Sequence, residues 1–240
     1  MIFLAIDSTA RASSAAIGRD GRALVCMQND TGNTHSEQLL PMIENCLSRA
    51  SLAFSDIDAY ACTVGPGSFT GVRIGVSVIK GLAFGTNKPC IEVSTLESLA
   101  ENLRPLKGIL CPVMDARRSQ VYTALFETNE EGLLVRLTED EAISLDALAE
   151  RVRSLVSEEY PLYLAGDGYD LAYKSLSDAG IPCATTPSLL RLQNASSVLA
   201  VAERKLQKGE TKKESELSPL YLRLPQAERE RLEKEREASK

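Results

Sequence analysis

Histidine occurs once in these 240 residues, at His35, and tryptophan does not occur at all. One imidazole cannot form the paired-histidine core of a metallohydrolase site. The six cysteines (Cys26, Cys46, Cys62, Cys90, Cys111, Cys183) contain no C-x-x-C pair to make up the deficit. They are expected to be reduced and buried, acting as small hydrophobes. No apolar run approaches the roughly 20 residues of a membrane span, and in MIFLAIDS the charge at Asp7 arrives before a signal-peptide core can form. A cytoplasmic chain with no membrane contact is the expectation. Basic residues are in deficit too, 27 against 33 acidic, giving a net charge of -6 and a pI near 5.1. Most of the surface therefore repels phosphate, unlike that of a dedicated nucleic-acid binder, although a local basic patch is compatible with these totals. What is present, 44% apolar and 25% charged residues, suits a soluble globular protein with a full core.

Short β-like segments open the chain. Ile2 to Ile6, Ser14 to Ile17 and Ala23 to Met27 read as three strands, with Asp20-Gly21 as a hairpin turn. THSEQLLPMIENCLSRA then places Leu39, Ile43, Cys46, Leu47 and Ala50 at helical spacing behind Thr34 or Ser36 as N-cap. Ala59 to Val64 is a buried strand, Thr70 to Phe84 a helix, Cys90 to Val93 a strand, and Thr95 to Asn102 a helix. Near Pro105 the pattern restarts: CPVMDARRSQVYTAL repeats the layout of FLAIDSTARASSAAI, a strand, an aspartate at its end, a short turn and a second strand. The two hairpins either match by chance or record a duplicated α/β fold, and the second reading is favoured. Strand 161 to 165, the turn Gly166-Asp167-Gly168, and helices at 171 to 179 and 196 to 206 complete the second half. The division expected is residues 1–105, residues 106–225 with the last helix crossing back, and a tail, 226–240. From Glu228 onward that tail alternates five acidic with five basic side chains and reads as a solvated, flexible helix.

The segment GPGSFTGVRIGVSVIKGLAFG, residues 65 to 85, follows a strand and opens a helix, a position suited to phosphate. Its spelling is not. Gly71 is followed by Val72 and Arg73, where a P-loop needs Lys and Ser or Thr, and Thr70 stands where a dinucleotide fingerprint has its last glycine. The helix itself carries only two charges, Arg73 and Lys80, and has glycines and serine at four-residue intervals (Gly71 and Gly75; Ser77, Gly81 and Gly85). Such ridges permit close backbone approach, either to the chain's own core or to a partner.

These residues resemble the TsaB (YeaZ) family of tRNA threonylcarbamoyladenosine biosynthesis. The resemblance runs from Ile2 to Arg223 through AIDST, HSEQLLP, VGPGSFTGVRIGVSVIKGLAFG, STLESLA, MDARRSQVY and PLYLR. It implies the duplicated actin-like, sugar-kinase-like (ASKHA) fold: two related subdomains with mixed sheets flanked by helices. It also implies a non-catalytic subunit with no intrinsic cofactor and no metal site. In the catalytic relative TsaD two metal-binding histidines lie four residues apart on a helix, and the matching positions here are Thr95 and Leu99. The implied partners are a TsaD-like catalytic subunit, a TsaE-like ATPase, a second copy of the chain, and tRNA through the complex. ATP or ADP at the complex interface is the one cofactor the resemblance leaves open.

Two sets of residues follow as candidates. Leu39, Ile43, Gly71, Ile74, Gly75, Val78 and Leu82 are the expected docking surface, some of them shared with the core. Asp7 and Asp115, at equivalent strand ends, are the expected nucleotide contacts, if any exist; as turn-formers they need no such role. Arg117 and Arg118 suit phosphate or tRNA by chemistry and a solvated turn by position. No catalytic residue is identified; the alternatives to a partner subunit are a self-sufficient ATPase or small-molecule kinase, and a metallopeptidase.

Overall fold

The computed structural model describes residues 1–32 and 34–223; the charged tail lies outside them. Three strands open it: β1 (Ile2–Asp7), β2 (Ser13–Arg19) and β3 (Arg22–Asn29). Asp20 and Gly21 both take positive φ, the conformation a two-residue hairpin requires. Helix α1 (His35–Ala50) follows with Thr34 at the N-cap, whose side chain makes no capping bond. Then come β4 (Ala59–Gly65), α2 (Phe69–Ala83), β5 (Cys90–Ser94) and α3 (Thr95–Leu103). Ser68 and Ser94 cap the last two helices by accepting the backbone N–H of Gly71 and Glu97.

The second half comprises β6 (Ile109–Asp115), β7 (Gln120–Thr123), the hairpin β8 (Phe126–Thr128) and β9 (Leu134–Arg136), and β10 (Glu141–Ser144). After these come α4 (Leu145–Val152), β11 (Leu162–Ala165), α5 (Tyr169–Asp178), β12 (Cys183–Ala184) and α6 (Ala195–Gln207). The first sheet runs β3-β2-β1-β4-β5 and the second β10-β7-β6-β11-β12, with β8 and β9 off that path. In both, the hairpin pairs are antiparallel and the two crossover strands parallel. The order matches position for position, so the likeness of the two hairpins reflects duplication of the whole sheet. This is the mixed, duplicated α/β fold expected.

Alternation along β1 sorts its side chains between two layers. Leu4 and Ile6 face α1 and α2 with Leu39, Ile43, Cys46, Val72, Val76 and Ile79, whereas Phe3 and Ala5 face α6 with Ala195, Val198 and Ala202. Helix α3 meets the second sheet through Leu99, Leu103, Leu110, Met114 and Phe126. Each half thus sends its last helix onto the other, which holds the halves together around a cleft. Among the described residues no helix is long and apolar enough to cross a membrane.

After α6 the chain returns as a strap. Cys90 and Lys212 exchange backbone hydrogen bonds, Ser218 N donates to Glu92 Oε1, and Leu220 N donates to Val64 O at 2.7 Å. Both charges of α2 hold this strap: Lys80 Nζ donates to Ser215 O, and Arg73 Nε donates to Tyr221 Oη at 2.8 Å while its guanidinium lies 3.9 Å over the Phe69 ring. Tyr221 stacks on Phe69, with ring centroids 4.7 Å apart. An exposed cation-π contact contributes about 0.5 to 1 kcal/mol, and an aromatic pair about 1 kcal/mol. Arg73→Ala, which removes the cation-π contact and the Tyr221 hydrogen bond but leaves the aromatic pair, is expected to cost about 1 kcal/mol in denaturant unfolding, while Arg73→Lys, which keeps the charge and loses the planar stack, recovers less than half.

Candidate functional sites: the interdomain cleft and the α1–α2 face

The glycine motif bends the end of β4 into α2 against the turn that follows β1. Ser68 N donates to Thr9 O at 2.6 Å, and Ser8 Oγ donates to Gly71 O at 2.8 Å. A Cβ on Gly67 would lie 2.3 Å from Thr9 O, one on Gly71 2.0 Å from Ser8 O, and one on Gly75 2.5 Å from Ser8 Oγ. These glycines exist for close approach within the chain. Gly81 and Gly85 meet nothing within 4 Å.

That divides the expected docking set. Leu39, Ile43, Gly71 and Gly75 are buried in the chain's own core and have no surface to offer a partner, a correction whose cause is the Ser8 turn and the sheet beneath them. Ile74, Val78 and Leu82 are half-buried at the edge of the same cluster. Leu40 on α1, 42% exposed, and Phe84 at the end of α2, 79% exposed, were not singled out from the sequence, yet both are large apolar side chains that these helices leave in solvent. The helical spacing of Leu40 from Ser36 and Glu37, both exposed, was the available signal.

Asp7 and Asp115 occupy equivalent strand ends but different surroundings. Asp7 is fully buried; its Oδ1 accepts the Thr9 N–H and hydroxyl, each at 2.9 Å, and its Oδ2 has no partner among the described residues. Register places Ser14 and Thr63 beside it on the α6 side of the sheet. Asp7 is buried beneath the Ser8–Thr9 turn, which packs against the glycine motif, and is not among the residues that line the cleft. Asp115 does line it, with Asp167 of the Gly166-Asp167-Gly168 turn: Asp115 N donates to Asp167 Oδ1 at 3.1 Å. The pair that meets in the cleft is therefore Asp115 and Asp167.

Burial pushes the Asp7 carboxyl above the ordinary carboxylate range, against the Thr9 hydrogen bonds that favour the charged form. A folded pKa above the unfolded one means that the native state binds more protons. The stability it gives is present below the unfolded value and is lost as pH rises through the folded value. Asp7→Asn should therefore raise the thermal midpoint at pH 7 to 8, with the gain shrinking toward pH 4, as measured by melts across that range.

The cleft has a volume of about 460 Å³ and lies between the β1–β2 and β6–β7 turns, which are equivalent by duplication. Arg11 comes from the first, Arg117 from the second, and Arg223 from the end of the strap, where its Nη1 donates to Ala116 O at 2.7 Å. Phe69, Tyr122 and Tyr221 add aromatic wall. Arg117, Arg118 and Ser119 take φ of +63°, +54° and +55° in succession, a left-handed run that costs about 1 kcal/mol per residue. Asp115 holds it: its Oδ1 accepts Arg117 N at 2.7 Å and its Oδ2 accepts Arg117 Nη1 at 3.1 Å.

Thr95 and Leu99 are both buried in the first two turns of α3, with Leu99 packed among Leu110, Met114 and Phe126. Neither side chain provides a strong metal ligand. Cys62 and Cys111 are buried, and desolvation raises both thiols, Cys111 to about 12, so they pack as hydrophobes.

A family model described as "TsaD: tRNA N6-adenosine threonylcarbamoyltransferase" matches residues 29–231. The tRNA threonylcarbamoyladenosine biosynthesis protein TsaB of Bacillus subtilis is 33% identical over 74% of this chain and 76% of its own. Its Escherichia coli counterpart is 30% identical over 93% of this chain and 95% of its own. The solved structure of YeaZ from Pseudomonas aeruginosa superposes with a TM-score of 0.75 at 29% identity, covering 92% of this chain and 99% of that one. With the same fold and near-complete coverage in both directions, the chain belongs to the TsaB (YeaZ) family.

Proposed function

We propose that this chain is a non-catalytic subunit required for forming threonylcarbamoyladenosine at the adenosine next to the anticodon of tRNA. It acts by dimerising with a TsaD-like catalytic subunit and assembling with a TsaE-like ATPase. The observation that carries this reading is the face of α1 and α2 that the chain itself leaves uncovered. Ile74, Val78 and Leu82, spaced four apart, form a half-buried stripe along α2, and Leu40 on α1 and Phe84 at the end of α2 are exposed. Apolar groups gathered on one helical face are the usual core of a docking patch. The names of the relatives supply the pathway, and the packed Thr95 and Leu99 favour leaving the chemistry to a partner.

ATP or ADP, on this reading, belongs at the junction of the subunits. A self-sufficient ATPase or kinase is disfavoured because Asp7 is sealed away from the cleft. Reconstitution of tRNA modification from purified TsaD-like and TsaE-like proteins, with and without this chain, tests the proposal. Modification should require the chain, and gel filtration should show it co-eluting with the catalytic subunit. Full activity without it, or no co-elution, overturns the reading.

A further inference from the structure

The chain is acidic overall, with a net charge of -6, yet the two duplicated turns and the strap each deliver an arginine to one cleft. Arg11 and Arg117 keep most of their surface in solvent, 71% and 82% of the side chain. Each spends only part of a five-donor guanidinium on a carboxylate, Arg11 through Nε to Asp30 and Arg117 through Nη1 to Asp115. The remaining donors are available for phosphate oxygens, the acceptor that a planar fork fits best. Two carboxylates share the cleft. Asp115 is matched by Arg117, and three arginines face these two carboxylates, so the formal local balance is basic. Aromatic residues make up 5% of the chain, and three of them line this one cleft. Tyr221 is fixed from behind by Phe69 and Arg73 and remains 39% exposed.

A rigid aromatic wall beside arginines on separate segments is the arrangement that binds an unpaired nucleotide, with phosphate on the guanidiniums and base on the ring. A volume of about 460 Å³ suits one nucleotide of single-stranded chain rather than a duplex. We propose that this cleft contacts RNA directly, Arg11, Arg117 and Arg223 holding backbone phosphate and Tyr221 stacking an unpaired base. The choice of RNA rests on the function proposed above, whereas the cleft is separate from the α1–α2 docking face. This subunit is then a second point of contact for the tRNA rather than a scaffold alone.

The test is fluorescence anisotropy with the full chain, alone and bound to its catalytic partner, titrated against unmodified tRNA, a short oligoribonucleotide and AMP at several salt concentrations. Wild type should bind the RNAs with an affinity that falls as salt rises. Arg11→Ala and Arg117→Ala should each weaken binding about fivefold and lower the slope of log affinity against log salt by about one. Tyr221→Ala should weaken binding about tenfold with the slope unchanged. Lys174→Ala, outside the cleft, serves as the control and should match wild type. Binding of AMP through the same arginines with no RNA binding, RNA binding indifferent to both arginine variants, or no RNA binding in either preparation would each overturn the proposal. Gel filtration of the same variants with the catalytic subunit separates the two ideas: their complexes should persist, and failure of the wild-type complex to form would count against docking, not against the RNA contact.

Discussion

Gly71→Ala is expected to lower the stability of this protein by about 3 kcal/mol, and Gly81→Ala to raise it, although both glycines lie on the same helix and the substitution adds the same methyl group. At position 71 the new Cβ would sit 2.0 Å from the carbonyl oxygen of Ser8, and that oxygen belongs to backbone held on both sides. Ser8 Oγ is tied to Gly71 O, Ser68 N to Thr9 O, and the strand behind the turn is buried. The helix must therefore move away from the sheet, loosening the core cluster that Val72 and Val76 share with Ile6. Overpacking of this kind costs roughly 1 to 3 kcal/mol or more, well above the ~1 kcal/mol that alanine recovers in helix propensity. At position 81 nothing lies within 4 Å of the added atom, so the propensity gain stands alone. For a chain of this size the two variants should differ in thermal midpoint by roughly 10 °C, in opposite directions from wild type. Equal midpoints would show that α2 is free to shift on the Ser8 turn.

The pair also shows what the glycine pattern conveyed. Four-residue spacing of small residues announced close packing, and period-two and helical patterns placed most strands and helices within a residue or two. Helix α2 begins at Phe69 and α5 at Tyr169 because Ser68 and Gly168 serve as their N-caps, one and two residues ahead of the expected starts. Duplication was legible from the two hairpins because each repeats strand, aspartate, turn and strand. What the spacing left open was the identity of the neighbour. Gly71 and Gly75 meet a turn more than 60 residues earlier in the chain, a long-range contact that local periodicity does not encode. The same limit applies to Asp7 and Asp115: equal positions in two related hairpins gave them equal standing, but only the first is covered by the glycine motif. The role of PLYLR was hidden for a related reason. Its tyrosine has no periodicity to mark it, and its partners Phe69 and Arg73 lie about 150 residues upstream.

Phe84→Asp is expected to abolish the proposed pairing with a TsaD-like catalytic subunit while leaving the isolated chain folded. Phe84 ends α2 with 79% of its surface in solvent, so losing the ring removes few internal contacts and the thermal midpoint should move little. In a complex the same ring would be among the largest apolar groups buried, and a carboxylate in its place would be desolvated without a partner. Central aromatic residues commonly carry 2 kcal/mol or more of binding energy, so an affinity loss of at least about 30-fold is expected by calorimetry. Val78→Glu should also weaken pairing, since Val78 is half-buried on α2 at the rim of the core and the new charge would stand on the proposed docking helix. Leu189→Asp is the informative comparison: Leu189 is more exposed still, at 90%, but sits on a short turn of the second half, away from α1 and α2. If exposure alone governed association, Leu189→Asp would disrupt the complex as strongly as Phe84→Asp. An unaltered Leu189→Asp complex beside a lost Phe84→Asp complex places docking on α1 and α2, and the reverse result would move it to the second half.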